Sequence, residues 1–173
     1  MILVTGGTGL AGSHLLLELT SQGKRPRALL RKGSSTDFVK HVFRAYAGDP
    51  DRQFAMIEWV EGDVLDIFSL EDAMEGVKQV YHNAALVSFD RSKKDQMYRI
   101  NIDGTANVVN AALEKGVGKI CHLSSIATLG SAGKDSISDE STAWVTSRRN
   151  SHYAISKYNG EREIWRGTAE GLD

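Results

Sequence analysis

The sequence predicts an α/β fold, a parallel sheet with helices wound over both faces. Two observations predict it. Short apolar runs alternate with longer amphipathic segments along the chain, the pattern of successive strand–helix–strand units. A glycine-rich turn, Thr5 to Gly12, joins the first apolar run directly to the first amphipathic segment.

Met1 to Thr5 is an apolar run of the kind a strand covered on both faces requires. Gly9 to Gln22 follows as a helix carrying Leu15, Leu16 and Leu19. Arg27 to Arg31 is the second strand. Between Lys32 and Asp51 only Phe38, Val42 and Tyr46 hint at a helix. Ile57 to Glu61 reads as the third strand, Asp66 to Glu75 as a short helix and Val77 to His82 as the fourth strand. A long helix is expected over Lys94 to Lys115, apolar at Met97, Ile100, Ala106, Val108, Val109, Ala112 and Leu113. Lys119 to Ser124 is the fifth strand, Gly130 to Asn150 is polar and looped, and Ser151 to Glu170 is helical again.

The 173 residues, 41% hydrophobic and 25% charged, suffice for one domain with a sizeable core. The 21 Lys and Arg residues against 22 Asp and Glu give a net charge of -1, which argues against general attraction to nucleic acid or anionic lipid. The single cysteine, Cys121, excludes an internal disulfide and fits a reducing compartment. The N-terminus lacks the basic start and apolar stretch of a signal peptide, and no apolar run approaches the roughly 18 residues that span a bilayer. A cytoplasmic protein without a membrane partner is expected. Five scattered histidines and one cysteine offer no convergent ligand set, so no metal is expected. His82 and His122 at strand ends read as structural, and Cys121 as a buried thiol.

Gly6, Gly9 and Gly12 form a GxxGxxG spacing between strand and helix. Glycine permits the tight turn, the approach of backbone to a pyrophosphate and the close packing of helix on strand, and the helix then aims its first amides at the anion. This places the chain in the Rossmann-type class of doubly wound parallel sheets. A carboxylate at the end of the second strand would accept from the ribose hydroxyls of NAD. Here the strand ends Leu30-Arg31-Lys32, and two cations suit a 2′-phosphate, as well as a plain solvated strand end. NADP is therefore favoured, with NAD as the alternative.

Tyr153 and Lys157 stand four apart, on one face of the last helix. An ammonium near a phenol favours the phenolate, which can exchange a proton with a substrate oxygen. Ser124 and Ser125 end the fifth strand, on the side of the sheet where ligands bind, and a hydroxyl there could hydrogen-bond the same oxygen.

Six motifs occur in one order: Gly6/Gly9/Gly12, Gly62-Asp63-Val64, Asn83-Ala84-Ala85, Asn101-Ile102-Asp103-Gly104-Thr105, Ser124-Ser125 and Tyr153-x-x-x-Lys157. In this the chain resembles the extended short-chain dehydrogenase/reductases of the epimerase/dehydratase type, over almost its whole length. The resemblance implies that Gly6, Gly9, Leu10, Ala11 and Gly12 hold the pyrophosphate and that Arg31 lies by the adenosine ribose. It places Asp63 and Val64 at the adenine, Asn83, Ala84 and Ala85 along the cofactor, and Asn101 in contact with it from the long helix. Ser125, five residues before Gly130, matches the catalytic hydroxyl better than Ser124. Tyr153 becomes the acid/base, and Lys157 binds the nicotinamide ribose while tuning Tyr153.

Leu123 to Gly130 and the Arg27 to Arg31 strand are more similar to the dihydroflavonol reductase and hydroxysteroid dehydrogenase branch. The implied activity is hydride transfer between the nicotinamide and a hydroxyl/ketone pair on a small molecule, apolar or flavonoid-like. A sugar-nucleotide epimerase or dehydratase using transient oxidation, or a non-catalytic dinucleotide-binding module, are the alternatives. The family also implies a homodimer through the long and last helices. It implies further strands and a substrate-binding region, which residues 1–173, read as the dinucleotide-binding domain alone, lack.

Overall fold

Five strands form one parallel sheet in the computed structural model of the chain, which describes residues 1–130 and 137–173. They are β1 (Ile2–Thr5), β2 (Arg27–Leu30), β3 (Glu58–Glu61), β4 (Gln79–His82) and β5 (Lys119–His122), in the order β3-β2-β1-β4-β5. The chain winds outward from β1 to β3, crosses back to β4 and winds out the other way. Thr5 therefore lies beside His82, and the segments leaving these two residues diverge into a crevice.

Successive side chains of a strand point to opposite faces. Val4 and Ala28 join Leu16, Leu19, Val39 and Phe43 in a core under α1 (Leu10–Ser21), α2 (Asp37–Tyr46) and α3 (Pro50–Phe54). Leu3, Leu29 and Val80 join Leu70, Val108 and Ala112 on the other face, under α4 (Ile67–Ala73) and α6 (Gly104–Glu114). α7 (His152–Ala169) packs against α6, and the chain then returns to the outer edge of β5, where the Asp173 carbonyl accepts from the Ile120 amide at 2.7 Å. The doubly wound parallel sheet expected from the sequence is thus present.

The differences are local. The ambiguous 32–51 stretch forms α2 and the start of α3, but its buried residues are Val39, Val42 and Phe43, while Phe38 and Tyr46 face outward. Cys121 is exposed on the edge strand β5, contrary to the buried thiol expected. The expected loop at 130–150 falls partly outside the described residues, at 131–136. The long helix is interrupted: α5 (Lys94–Tyr98) passes through a π-helical turn, Arg99–Asp103, before α6. The widened turn carries Asn101, whose carbonyl accepts from the Thr105 hydroxyl at 2.8 Å. A Cβ on Gly160 of α7 would lie 2.3 Å from that carbonyl oxygen, so only glycine lets α7 approach the π turn this closely. Among the described residues no helix is long and apolar enough to cross a membrane.

Candidate dinucleotide and catalytic site

The turn after β1 is built by what its glycines lack. Gly6 has φ of +67°, and a Cβ there would stand 2.6 Å from the Ala84 amide nitrogen. Gly12 lies under the same turn, where a Cβ would meet the Gly6 carbonyl oxygen at 2.2 Å. Gly9 caps α1 without a side-chain hydrogen bond, so the amides of Leu10, Ala11 and Gly12 have no side-chain cap among the described residues. Leu10 and Ala11 are exposed there and Gly12 is buried. The first turn of α1 thus offers unpaired N–H groups at the positive end of a twelve-residue helix.

Gly6, Gly9, Arg31, Asp63, Val64, Asn83, Ala84 and Ala85 line one open cleft of about 690 Å³. One Asp63 carboxylate oxygen accepts from the Leu65 amide at 3.0 Å, which fixes the carboxylate at the end of β3. The Asn83 side-chain nitrogen is buried and has no hydrogen-bond partner among the described residues. A buried donor left without a partner is costly, and this one lines the cleft, so it fits a ligand that brings acceptors. Beside the cleft, Arg31, Lys32 and Ser34 face Glu61, Asp63 and Asp66 across a recess of about 540 Å³. Arg31 makes no ion pair with any described residue.

Asn101 does not reach this cleft, contrary to the contact implied by the resemblance. It is 2% exposed, and its amide is fully engaged. Its oxygen accepts from the Leu86 amide at 2.7 Å, while its nitrogen donates to the Leu86 carbonyl and to the Ser156 hydroxyl, each at 2.9 Å. Leu86 lines the cleft and Ser156 lies between Tyr153 and Lys157 on α7. Asn101 therefore ties the cleft wall at Leu86 to α7.

Lys157 is buried. Its Nζ donates to the Leu123 carbonyl at 2.7 Å and lies 3.3 Å from His122 Nε2. Burial pushes its pKa down to about 8, against the opposing charge of Glu161. Tyr153, one turn earlier, is half-buried, with the Phe89 ring edge-on at 6.1 Å. The two serines differ in what they have left to offer. Ser124 donates to Glu161. The Ser125 oxygen accepts from the Ala127 amide at 3.1 Å and caps the short 3-10 turn Ile126–Thr128, leaving its proton without an acceptor among the described residues. α7 packs on this turn. The bond from Lys157 to the Leu123 carbonyl fixes that part of the helix at the end of β5, with Tyr153 one turn earlier on α7 and Ser125 at the start of the 3-10 turn.

The sequence reading missed the polar wiring behind this group. Thr105 gives its only hydroxyl proton to the Asn101 carbonyl, so its oxygen must accept from His82 Nε2, 3.0 Å away. His82 Nδ1 then accepts from the Thr5 hydroxyl at 2.7 Å, and the Thr5 oxygen accepts from the Ala84 amide. Burial, with the neighbouring His122 and Lys157, holds His82 well below the usual imidazole pKa. Its ring stacks on His122 at 5.1 Å. Burial raises the Glu161 carboxyl, but hydrogen bonds from Ser124, Thr128 and Trp165 outweigh it and hold the group below the usual range. The signal was available only with the register, which places His82 beside His122.

The sequence matches the NAD dependent epimerase/dehydratase family over residues 2–172. The chain belongs to that family. It is 32% identical over 170 residues to a Synechocystis sp. protein named "Putative dihydroflavonol 4-reductase", an alignment covering 98% of this chain and 46% of the relative. The thiolation-reductase di-domain of an archaeal non-ribosomal peptide synthetase superposes with a TM-score of 0.81 at 27% identity, covering 99% of this chain and 49% of that one. A short-chain dehydrogenase/reductase superfamily protein of Agrobacterium tumefaciens, solved with bound NAD, gives 0.75 at 26% identity, over 99% and 46%. This family member thus spans about half the length of the relatives it matches.

Proposed function

We propose that the chain binds NADP and serves hydride transfer between the nicotinamide and a hydroxyl/ketone pair on an apolar substrate. The observation that carries the reading is the buried Lys157, held on the Leu123 carbonyl at the end of β5 by a helix that carries Tyr153 one turn earlier and packs on the turn that Ser125 caps. When bound, the nicotinamide supplies or takes the hydride. The amides of Leu10 to Gly12 receive the diphosphate, and the Asn83 amide donates to the ligand lying over it. Arg31 and Lys32 take the 2′-phosphate. Tyr153 gives or takes the proton at the substrate oxygen, Ser125 donates its free hydroxyl proton to that oxygen, and the Lys157 ammonium favours the phenolate.

Supporting an apolar substrate, Val87, Phe89 and Ile126 stand 62, 80 and 88% exposed on the segments that carry Ala85 and Ser125, and Phe89 touches the Tyr153 ring. The reductase name of the Synechocystis relative points the same way. One observation favours NAD instead: Glu61 and Asp66 on the opposite wall of the recess could accept from free ribose hydroxyls.

Fluorescence titration with NADPH and NADH is the test. Binding of NADPH about tenfold tighter, a preference of roughly 1.4 kcal/mol, is expected, and Arg31→Ala should erase most of it. Equal affinity for the two in the unsubstituted protein removes the phosphate reading. Oxidation of NADPH by aryl or steroid ketones in preference to sugar nucleotides tests the substrate class, and the reverse order would establish the epimerase/dehydratase alternative.

A further inference from the structure

We infer that His122 is a positioning residue for Lys157, its neutral imidazole accepting at Nε2 a hydrogen bond from the lysine ammonium and, with the Leu123 carbonyl, holding Nζ at the floor of the site. The inference rests on the reading of Lys157 as the residue that tunes Tyr153, for its consequence though not for its geometry.

An ammonium has three protons and no lone pair. Facing Nζ at 3.3 Å, His122 Nε2 must therefore be the bare nitrogen, and the ring proton sits on Nδ1. That Nδ1 is buried and has no hydrogen-bond partner among the described residues. The ring thus turns its acceptor to the lysine and leaves its donor unpaired among the described residues.

The ring is aimed by what lies behind it. It stacks on His82, whose own two nitrogens are fixed by Thr5 and Thr105. Among the described residues the groups around Lys157 with charge or a titratable proton are His122 from β5, His82 from β4, Glu161 one turn along α7 and Tyr153 one turn before it. Burial, with the Lys157 charge beside it, pushes His122 down to about 4, so between about pH 4 and 8 a neutral acceptor faces a charged Lys157. With two protons held by Leu123 and His122, the third is the one left for a ribose hydroxyl or the Tyr153 oxygen.

The test is the titration of Lys157 itself, read by NMR on 13C-lysine-labelled chain without dinucleotide, its resonance identified by loss in Lys157→Arg. The unsubstituted chain is expected to titrate near 8. His122→Phe keeps a ring on His82 and removes the acceptor, and should lower the midpoint by about one pH unit, a tenfold loss of proton affinity. His122→Gln, which returns an acceptor at the same reach, should recover most of it. Should the Phe variant not fold, His122→Leu carries the same comparison.

A midpoint unmoved in the acceptor-less variant, or equal in the Phe and Gln variants, overturns the assignment. A purely packing role predicts loss of stability with Lys157 unmoved. Failure of NADPH to bind would strike the functional reading and leave this titration standing.

Discussion

Between pH 6.5 and 4.5 the chain should lose folding stability, about 2 kcal/mol through His122 and a further amount through His82, a large fraction of what a marginally stable domain has. The cause is the pair of stacked imidazoles in the sheet. His82 is fully buried and held well below the usual imidazole pKa, and His122 is held near 4. Both folded-state values lie below the unfolded value of 6.5. On acidification the unfolded chain therefore binds protons that the folded chain refuses, so stability falls as pH drops through 6.5 and keeps falling until the folded groups titrate. Two refused protons give a limiting slope of about 2.7 kcal/mol per pH unit. Urea unfolding at successive pH values measures it, and His122→Phe should roughly halve the slope. A stability that stays level from pH 7 to pH 5 would show that these rings are solvated or already charged.

That prediction could not have been made from the sequence, and the reason separates what was legible from what was not. The glycine spacing, the motifs at the ends of β3 and β4 and the Tyr153–Lys157 pair are local patterns, each set by the backbone within a few residues. Gly6, Gly9, Asp63, Val64, Asn83, Ala84 and Ala85 line the cleft, while the pair on α7 is not among its lining residues. His82 and His122 lie forty residues apart in sequence and touch only because β4 and β5 pair in register. Asn101 shows the same limit. Its motif was visible, but its amide is engaged by Leu86 and by Ser156 of a helix that Gly160, nearly sixty residues away, lets approach the π turn. Periodicity reads faces of helices; it does not read which carbonyl another helix must pass. The edge position of Cys121 likewise follows from strand order, which sequence alone leaves open.

The second large effect is expected at the phosphate turn, where two glycines three residues apart should fail in different ways. A Cβ on Gly12 would lie 2.2 Å from the Gly6 oxygen, 2.8 Å from its carbonyl carbon and 2.9 Å from the Gly7 Cα, all backbone atoms with no side chain to swing aside. Gly12→Ala must therefore displace the turn, at about 3 kcal/mol of stability. It should weaken NADPH binding roughly 100-fold, about 2.7 kcal/mol, because the Leu10 and Ala11 amides move with it. On Gly9 a Cβ would meet only the Gly6 oxygen, at 3.3 Å. Gly9→Ala should cost about 1 kcal/mol or less in folding, yet still reduce NADPH affinity roughly tenfold, since a methyl there stands at the exposed cap toward which the helix amides point. Thermal melts alongside dinucleotide titrations separate the two quantities. If Gly12→Ala binds NADPH as tightly as the unsubstituted chain, the diphosphate is received somewhere other than the head of α1, and the roles given to Asn83 and Arg31 lose their frame of reference.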